Sequence, residues 1–330
     1  MESGKQRDLV IDFLRTIGIL LIFLAHTDCP FILKQFRIFD VILLVSISGY
    51  VYTDQFKNFK RYLRKRIKRL ILPVWFFLTF FFISLFLMRL IVKIPDEIVS
   101  LKNILLSYFC WSGIGFVWII RIYIVVAILG PILLKKIKFK TLVLYYFLIE
   151  IVMKIVLYFY DTDTIRNFLT MFPYVIIFCY GYLIKLKKVP VKIISIILCG
   201  MIVIFYLING IVDISNYKYP PQYIYVWYGI LMTNILFVLV KKICFEKLNL
   251  KVIKLIKYIG SSSMWFYLLH ILVYYVIYML KKRIYINWII EYSMLVFISF
   301  ILLVIKDKIR NYLSTLNSEK LNCYLEILKG

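Results

Sequence analysis

The stretch Asp12–Asp28, DFLRTIGILLIFLAHTD, decides how the rest of the chain is read. Most of it is Leu, Ile and Phe, which suits a bilayer-spanning helix, yet it holds an aspartate, an arginine and a histidine. At about 100° per residue, Arg15 and His26 fall only about 20° apart around a helix and about 16 Å apart along it. Asp12 lies one turn before Arg15 on the same face, close enough to pair with it. A charged group near the centre of a spanning helix costs about 2.5–3.5 kcal/mol. A polar stripe on such a helix must therefore face protein or a water-filled cavity. An anchor pair at the membrane edge (Asp12 with Arg15) and an interfacial His26 would explain each residue alone. Their shared face favours function.

The apolar character continues along the chain, which has 330 residues, is 63% hydrophobic and has a mean hydropathy of +0.89. A soluble domain of this length cannot hide that much apolar surface. Runs of about 17–23 apolar residues predict spanning helices. Ten are read, over 9–27, 37–53, 70–92, 115–134, 141–159, 170–185, 192–211, 223–241, 259–280 and 287–305. The predicted fold is an all-α polytopic membrane protein. With no internal repeat or low-complexity break, residues 1–305 read as one membrane domain and 306–330 as a short cytoplasmic tail.

The loops give the orientation. KNFKRYLRKRIKR (57–69), KKIKFK (135–140), KLKK (185–188) and KKICFEKLNLKVIKLIK (241–257) are basic. The alternate loops are mixed or acidic, as in IPDE (94–97) and DTDT (161–164), and only KKR (281–283) runs against the pattern. Basic loops stay on the cytoplasmic side, so both termini are expected there, consistent with an even span count. The net charge of +25 is spread over these clusters, which argues against a nucleic-acid partner. Asp12 and Arg15 interrupt the first apolar run and no small-residue cleavage site follows it, unlike a cleavable signal peptide. Cys29, Cys110, Cys179, Cys199, Cys244 and Cys323 form no C-x-x-C pair, and no metal site is implied. Cys29 and Cys110 both fall in loops on the outer side, where a disulfide between them is conceivable.

At this point the chain resembles the integral-membrane acyltransferase 3 family. Arg15 and His26 match its R-x10-H pattern in the first span. VSISGYVY (45–52) is similar to its Ser-Gly-aromatic signature, and RKRIKRLILPVW (64–75) to its Arg-x-x-Arg stretch, here Arg66 and Arg69. FVWIIRIYIVVAILGPIL (116–133) resembles the Trp-containing fourth span, with Arg121 where an apolar residue is commoner. KYPPQYIYVWYGI (218–230) and IGSSSMWFYLLHIL (259–272) resemble the later motifs. The matches lie in order over nearly the whole chain, and ten spans is the family's number. The resemblance implies a multi-pass enzyme of a bacterial-type cell membrane. It would move an acyl group, most often acetyl, from cytoplasmic acetyl-CoA or another short acyl-CoA to a hydroxyl of a cell-surface or secreted carbohydrate. It also implies roles for Arg15, His26, Arg66 and Arg69. Some members carry an added extracytoplasmic domain after the last span. The tail here is too short for one, so a separate extracytoplasmic acyltransferase is a conceivable partner.

Acyl transfer to a neutral hydroxyl needs a base, and His26 and His270 are the chain's only histidines. An imidazole titrates near neutral pH and is suited to the task. His26 is assigned as the base, with transient acyl carriage on its ring as the second option. Coenzyme A is polyanionic, and guanidinium groups bind phosphate bidentately. Arg66 and Arg69, one turn apart, together with Arg15, are therefore the expected acyl-CoA contacts, although basic residues at that position are also ordinary topology signals. Asp12, Ser48, Tyr267 and His270 are expected to support the site, His270 chiefly as a packing residue. Glu150 and Lys154, four apart, are expected to neutralise each other. Tyr219, Tyr223 and Tyr225 are candidates for stacking on a sugar ring. The competing class is an exporter of polysaccharide or a lipid-linked glycan, which would favour broken helices in paired halves. No such symmetry is evident.

Overall fold

The computed structural model describes residues 8–53, 58–90, 95–134, 137–243, 245–316 and 325–328, without the side chain of Glu246. Lys57, Ile94, Lys135, Lys136, Cys244 and Cys323 lie outside these residues, as do positions 91–92 and much of the tail. Among the described residues the chain is helical, with no strand. The order begins α1 (Leu9–Ala25), α2 (Phe31–Arg37), α3 (Asp40–Tyr50), α4 (Phe59–Arg89), α5 (Leu101–Tyr108), α6 (Trp118–Leu134) and α7 (Phe139–Phe159). It continues α8 (Asp163–Leu169), α9 (Met171–Lys185), α10 (Val191–Asn209), α11 (Tyr223–Lys241), α12 (Leu250–Ser261), α13 (Ser263–Lys281) and α14 (Trp288–Thr315).

Among the described residues, seven stretches are long and apolar enough to cross a membrane: α4, α7, α8 continued by α9, α10, α11, α13 and α14. The other three expected spans coincide with α1, α3 and α6, of 17, 11 and 17 residues. Each is shorter than the roughly 20 residues that cross a hydrocarbon core.

Two boundaries depart from the expected ones for local reasons. The third span was expected from position 70, but α4 starts at Phe59 and carries the basic run on its first turns. Lys and Arg are good helix formers, so nothing halts the helix where the apolar residues stop. The ninth span was expected from 259, but the helix breaks at Ser262, whose φ and ψ are −101° and 19°. In this serine run, hydroxyls compete for backbone partners, and Ser261 donates to the Tyr258 carbonyl at 2.8 Å.

The centre of the bundle is α1 with α3 and α9. Nearly every residue of α3 is buried, the mark of an interior helix. Its backbone lies directly on α9: a Cβ on Gly49 would sit 1.9 Å from the Phe178 carbonyl oxygen, and one on Gly181 2.0 Å from that of Ser46. Small residues at such a crossing let helices approach where lipid offers no hydrophobic drive. The outer helices show the reverse pattern. On α7 and α10 large apolar side chains point away from the protein, among them Leu148, Ile155, Ile196 and Leu207. α1 packs against α3, α11, α12, α13 and α14, so its polar stripe faces protein, as its composition requires.

Candidate functional site

The first helix carries its polar groups into two settings. At its start Asp12 is buried and lies 3.9 Å from Arg15. The Thr16 hydroxyl donates to the Asp12 carbonyl at 2.9 Å, which ties this turn down. Arg15 faces a cavity of about 250 Å³, whose wall also includes Ser48 of α3, Arg66 and Arg69 of α4, Tyr123 of α6 and Ser261–Ser263. The three arginines and Ser48 singled out from sequence thus share one chamber. Nε of Arg66 is buried and has no hydrogen-bond partner among the described residues. A donor in that state is ready for an incoming anion and is costly to leave unpaired.

At the far end of α1, the His26 ring is half-buried among aromatic groups. Ring centroids of Phe116, His270 and Tyr274 lie 4.5, 5.4 and 5.6 Å from it. His270 is fully buried, its ring stacked on Phe23 at 4.6 Å. Its Nδ1 is hydrogen-bonded to the Tyr267 carbonyl, and a carbonyl only accepts, so the ring proton sits on Nδ1 in the neutral form. Nε2 is then an acceptor, buried and without a partner among the described residues. The two histidines, 244 positions apart in sequence, are brought together.

The chamber and His26 are close but separate. The chamber ends at Ile22, one turn before His26, and at Tyr267, one turn before His270. One turn is about 5.4 Å. Tyr267 belongs to both places, since it lines the chamber while its hydroxyl donates to the Phe116 carbonyl at 2.5 Å. His26 itself is not part of the chamber wall.

Three further clusters escaped the sequence reading. Asp40, buried at the start of α3, pairs with Arg37 at 3.0 Å and with Lys218 at 3.5 Å. Lys281 pairs with Glu291 at 3.0 Å and also with Asp28. Arg121, only 7% exposed, donates to the Trp111 carbonyl at 2.6 Å and lays its guanidinium 4.7 Å from the Trp111 ring centre. Lys218 meets Asp40, and Lys281 meets Asp28, from far away in sequence, so no local pattern reveals those pairings. For Arg121 the signal was present: a lone arginine in an apolar helix needs a partner.

Other expectations are corrected. Glu150 makes no ion pair with Lys154 among the described residues. It accepts the Tyr223 backbone N–H at 3.0 Å, while Lys154 sits 5.1 Å from the centre of the Tyr223 ring. That N–H is one of the unsatisfied donors at the start of α11, where a carboxylate is favoured. Tyr225 is fully buried, 3.1 Å from the Tyr174 hydroxyl, and cannot stack on a sugar. Cys29 and Cys110 are both free and buried, and burial pushes the Cys110 thiol up to about 11.

Compared with known proteins, a family model described as an acyltransferase domain matches residues 8–307. No curated protein and no solved structure matches the chain.

Proposed function

The chain belongs to this acyltransferase family, and from that premise we propose that it is a membrane O-acyltransferase of the cell envelope, using acyl-CoA to acylate a carbohydrate hydroxyl. The acyl group is most simply acetyl. Ten spans, with α1, α3 and α6 among them, and both termini in the cytoplasm complete the reading. The basic loops support that orientation.

The observation that carries it is the meeting of Arg15, Arg66 and Arg69 on one chamber whose wall reaches Ile22, a single turn from His26. Three guanidinium groups offer bidentate, permanently charged sites for the diphosphate and phosphate of coenzyme A. The flexible pantetheine arm then extends inward along the apolar wall of Ile19 and Ile22, bringing the thioester to the layer below His26.

The acceptor arrives from the opposite end. The neutral His26 imidazole removes the hydroxyl proton as the oxygen attacks the thioester carbonyl. The C–S bond breaks, and the imidazolium returns the proton to the departing thiolate. A base so placed contributes about 10²–10⁴-fold. His270 touches neither substrate and acts as a positioning residue: its ring and that of Phe116 hold the His26 ring in place.

The test is mass spectrometry of surface glycans from cells with and without the gene, before and after mild alkali. Alkali-labile acyl groups that depend on the gene, on a polymer still exported, are the expected result. Lost export with unchanged ester content would favour the exporter instead.

A further inference from the structure

At the His26 end of the bundle, a second cavity of about 510 Å³ opens between the loop after α5, α8 and the turn before α11. Its size is typical of ligand pockets, about 300–1,000 Å³. Two of its walls are aromatic, Trp111 and Tyr219, and polar groups from Lys102, Ser112, Asp163 and Asn167 surround them.

Both rings are held in place from behind. Arg121 clamps Trp111 through the carbonyl bond and the guanidinium–ring contact, and its other terminal nitrogen lies 3.5 Å from the Asn167 side-chain oxygen. A buried cation is costly in a membrane protein, and this one is used to fix a loop tryptophan and an asparagine at the same cavity. Tyr219 meets Trp118 edge to face at 5.1 Å, with the Lys218 ammonium 5.6 Å from its ring centre. Lys218 in turn pairs with Asp40 at the start of α3. The loop that carries Trp111 runs on within five residues to Phe116, whose ring lies 4.5 Å from that of His26, which places the cavity beside the proposed base.

We propose that this cavity is the acceptor subsite and that it takes an uncharged, hydroxyl-rich sugar unit of a glycan. The inference rests on the acyltransferase reading given above. Rigid aromatic faces suit the C–H face of a pyranose, and a few fixed polar groups suit its hydroxyls. The charges do not favour an anionic ligand: Lys102 and Asp163 both line the cavity, and Arg166 is already held by both carboxylate oxygens of Asp161 at 2.5 Å. The sugar docks on Trp111 and Tyr219 while the next part of the chain reaches past Tyr219 toward His26.

The test compares Trp111→Ala, Tyr219→Ala and Trp111→Phe in cells that make the glycan, alongside capture of radiolabelled acetyl-CoA by their membranes. The two alanine variants are expected to lower glycan ester about tenfold, the scale of one lost aromatic contact, with acetyl-CoA capture unchanged. Trp111→Phe keeps a ring and is expected to restore most of the ester. Full ester in the alanine variants would overturn the subsite and leave the acyltransferase reading standing. Loss of acetyl-CoA capture along with the ester would also overturn it, since Trp111 would then serve the fold. If wild-type membranes capture no acetyl-CoA and the cells carry no gene-dependent ester, both readings fall.

Discussion

The two ends of α1 solve the same problem in opposite ways. Each places charge or polarity where hydrocarbon is expected. At the Arg15 end the basic groups line an open chamber, and at least one buried donor, Arg66 Nε, is left for something outside the protein to satisfy. At the His26 end the charges are paired within the protein, with Asp40 held between Arg37 and Lys218 and the half-buried imidazole flanked by aromatic rings, and the unpartnered buried atoms there are Arg37 Nε and His270 Nε2. A chamber lined by three guanidinium groups beside an imidazole flanked by aromatic rings suits the proposed reaction between an anionic donor and a neutral acceptor. The proposed division of binding and chemistry along one helix can be tested from either end.

The largest effect is expected at the His26 end. His26→Ala removes the base and should lower transfer about 10²–10⁴-fold, while membranes of the variant still capture acyl-CoA. The split between the two readouts is the informative part. If capture fell together with transfer, the ends would not be separable.

Next comes the buried cluster that supports that end. Asp40→Ala would leave Arg37 and Lys218, 11% and 9% exposed at their side chains, without their carboxylate. Breaking a buried pair in this way costs about 3–5 kcal/mol, read as a lower unfolding temperature of the detergent-purified protein. Asp40→Asn retains a hydrogen-bond acceptor and should lose less. Equal stability of both variants with wild type would show that water already screens the cluster, and the contrast between the two ends would weaken.

At the open end, Arg66→Ala with Arg69→Ala should raise the KM for acyl-CoA about 10–100-fold, as expected when charged hydrogen bonds are lost, with a smaller change in kcat. Added salt should weaken donor binding in the wild type and do so less in the double variant. A donor KM unchanged by the double variant would remove the chamber from the mechanism.

The same contrast explains what could be read from the sequence. Arg15 lies on α1 and His26 is the residue that caps its end, so helical periodicity nearly fixes their relation, and Arg66 and Arg69 are one turn apart on α4. Their placement was legible because it is local. The meeting of His26 with His270, and of Asp40 with Lys218, depends on how distant helices pack, which the hydropathy of each span does not encode. The basic residues posed a further difficulty. A Lys or Arg at the end of a span looks the same whether it marks topology or pairs with a buried carboxylate, and only the neighbour distinguishes Lys218 from Lys60. Arg121 is the exception, since its position inside an apolar run already demanded a partner.

The smallest effect is expected at the layer between the two ends. Tyr267 lines the chamber, and its hydroxyl donates to the carbonyl of Phe116, whose ring packs on His26. Tyr267→Phe keeps the wall and removes only that bond, leaving a carbonyl short of its donor at a cost of about 1–3 kcal/mol. If the bond holds Phe116 against the imidazole, transfer should fall by about fivefold while the donor KM stays put. Acyl-CoA hydrolysis without acceptor should rise relative to transfer, because a looser Phe116 admits water to the thioester. A variant with both rates unchanged would show that the aromatic cluster holds His26 without help from the chamber side. The coupling between donor and acceptor ends would then have to run through Ile22 and Phe23 of α1 itself.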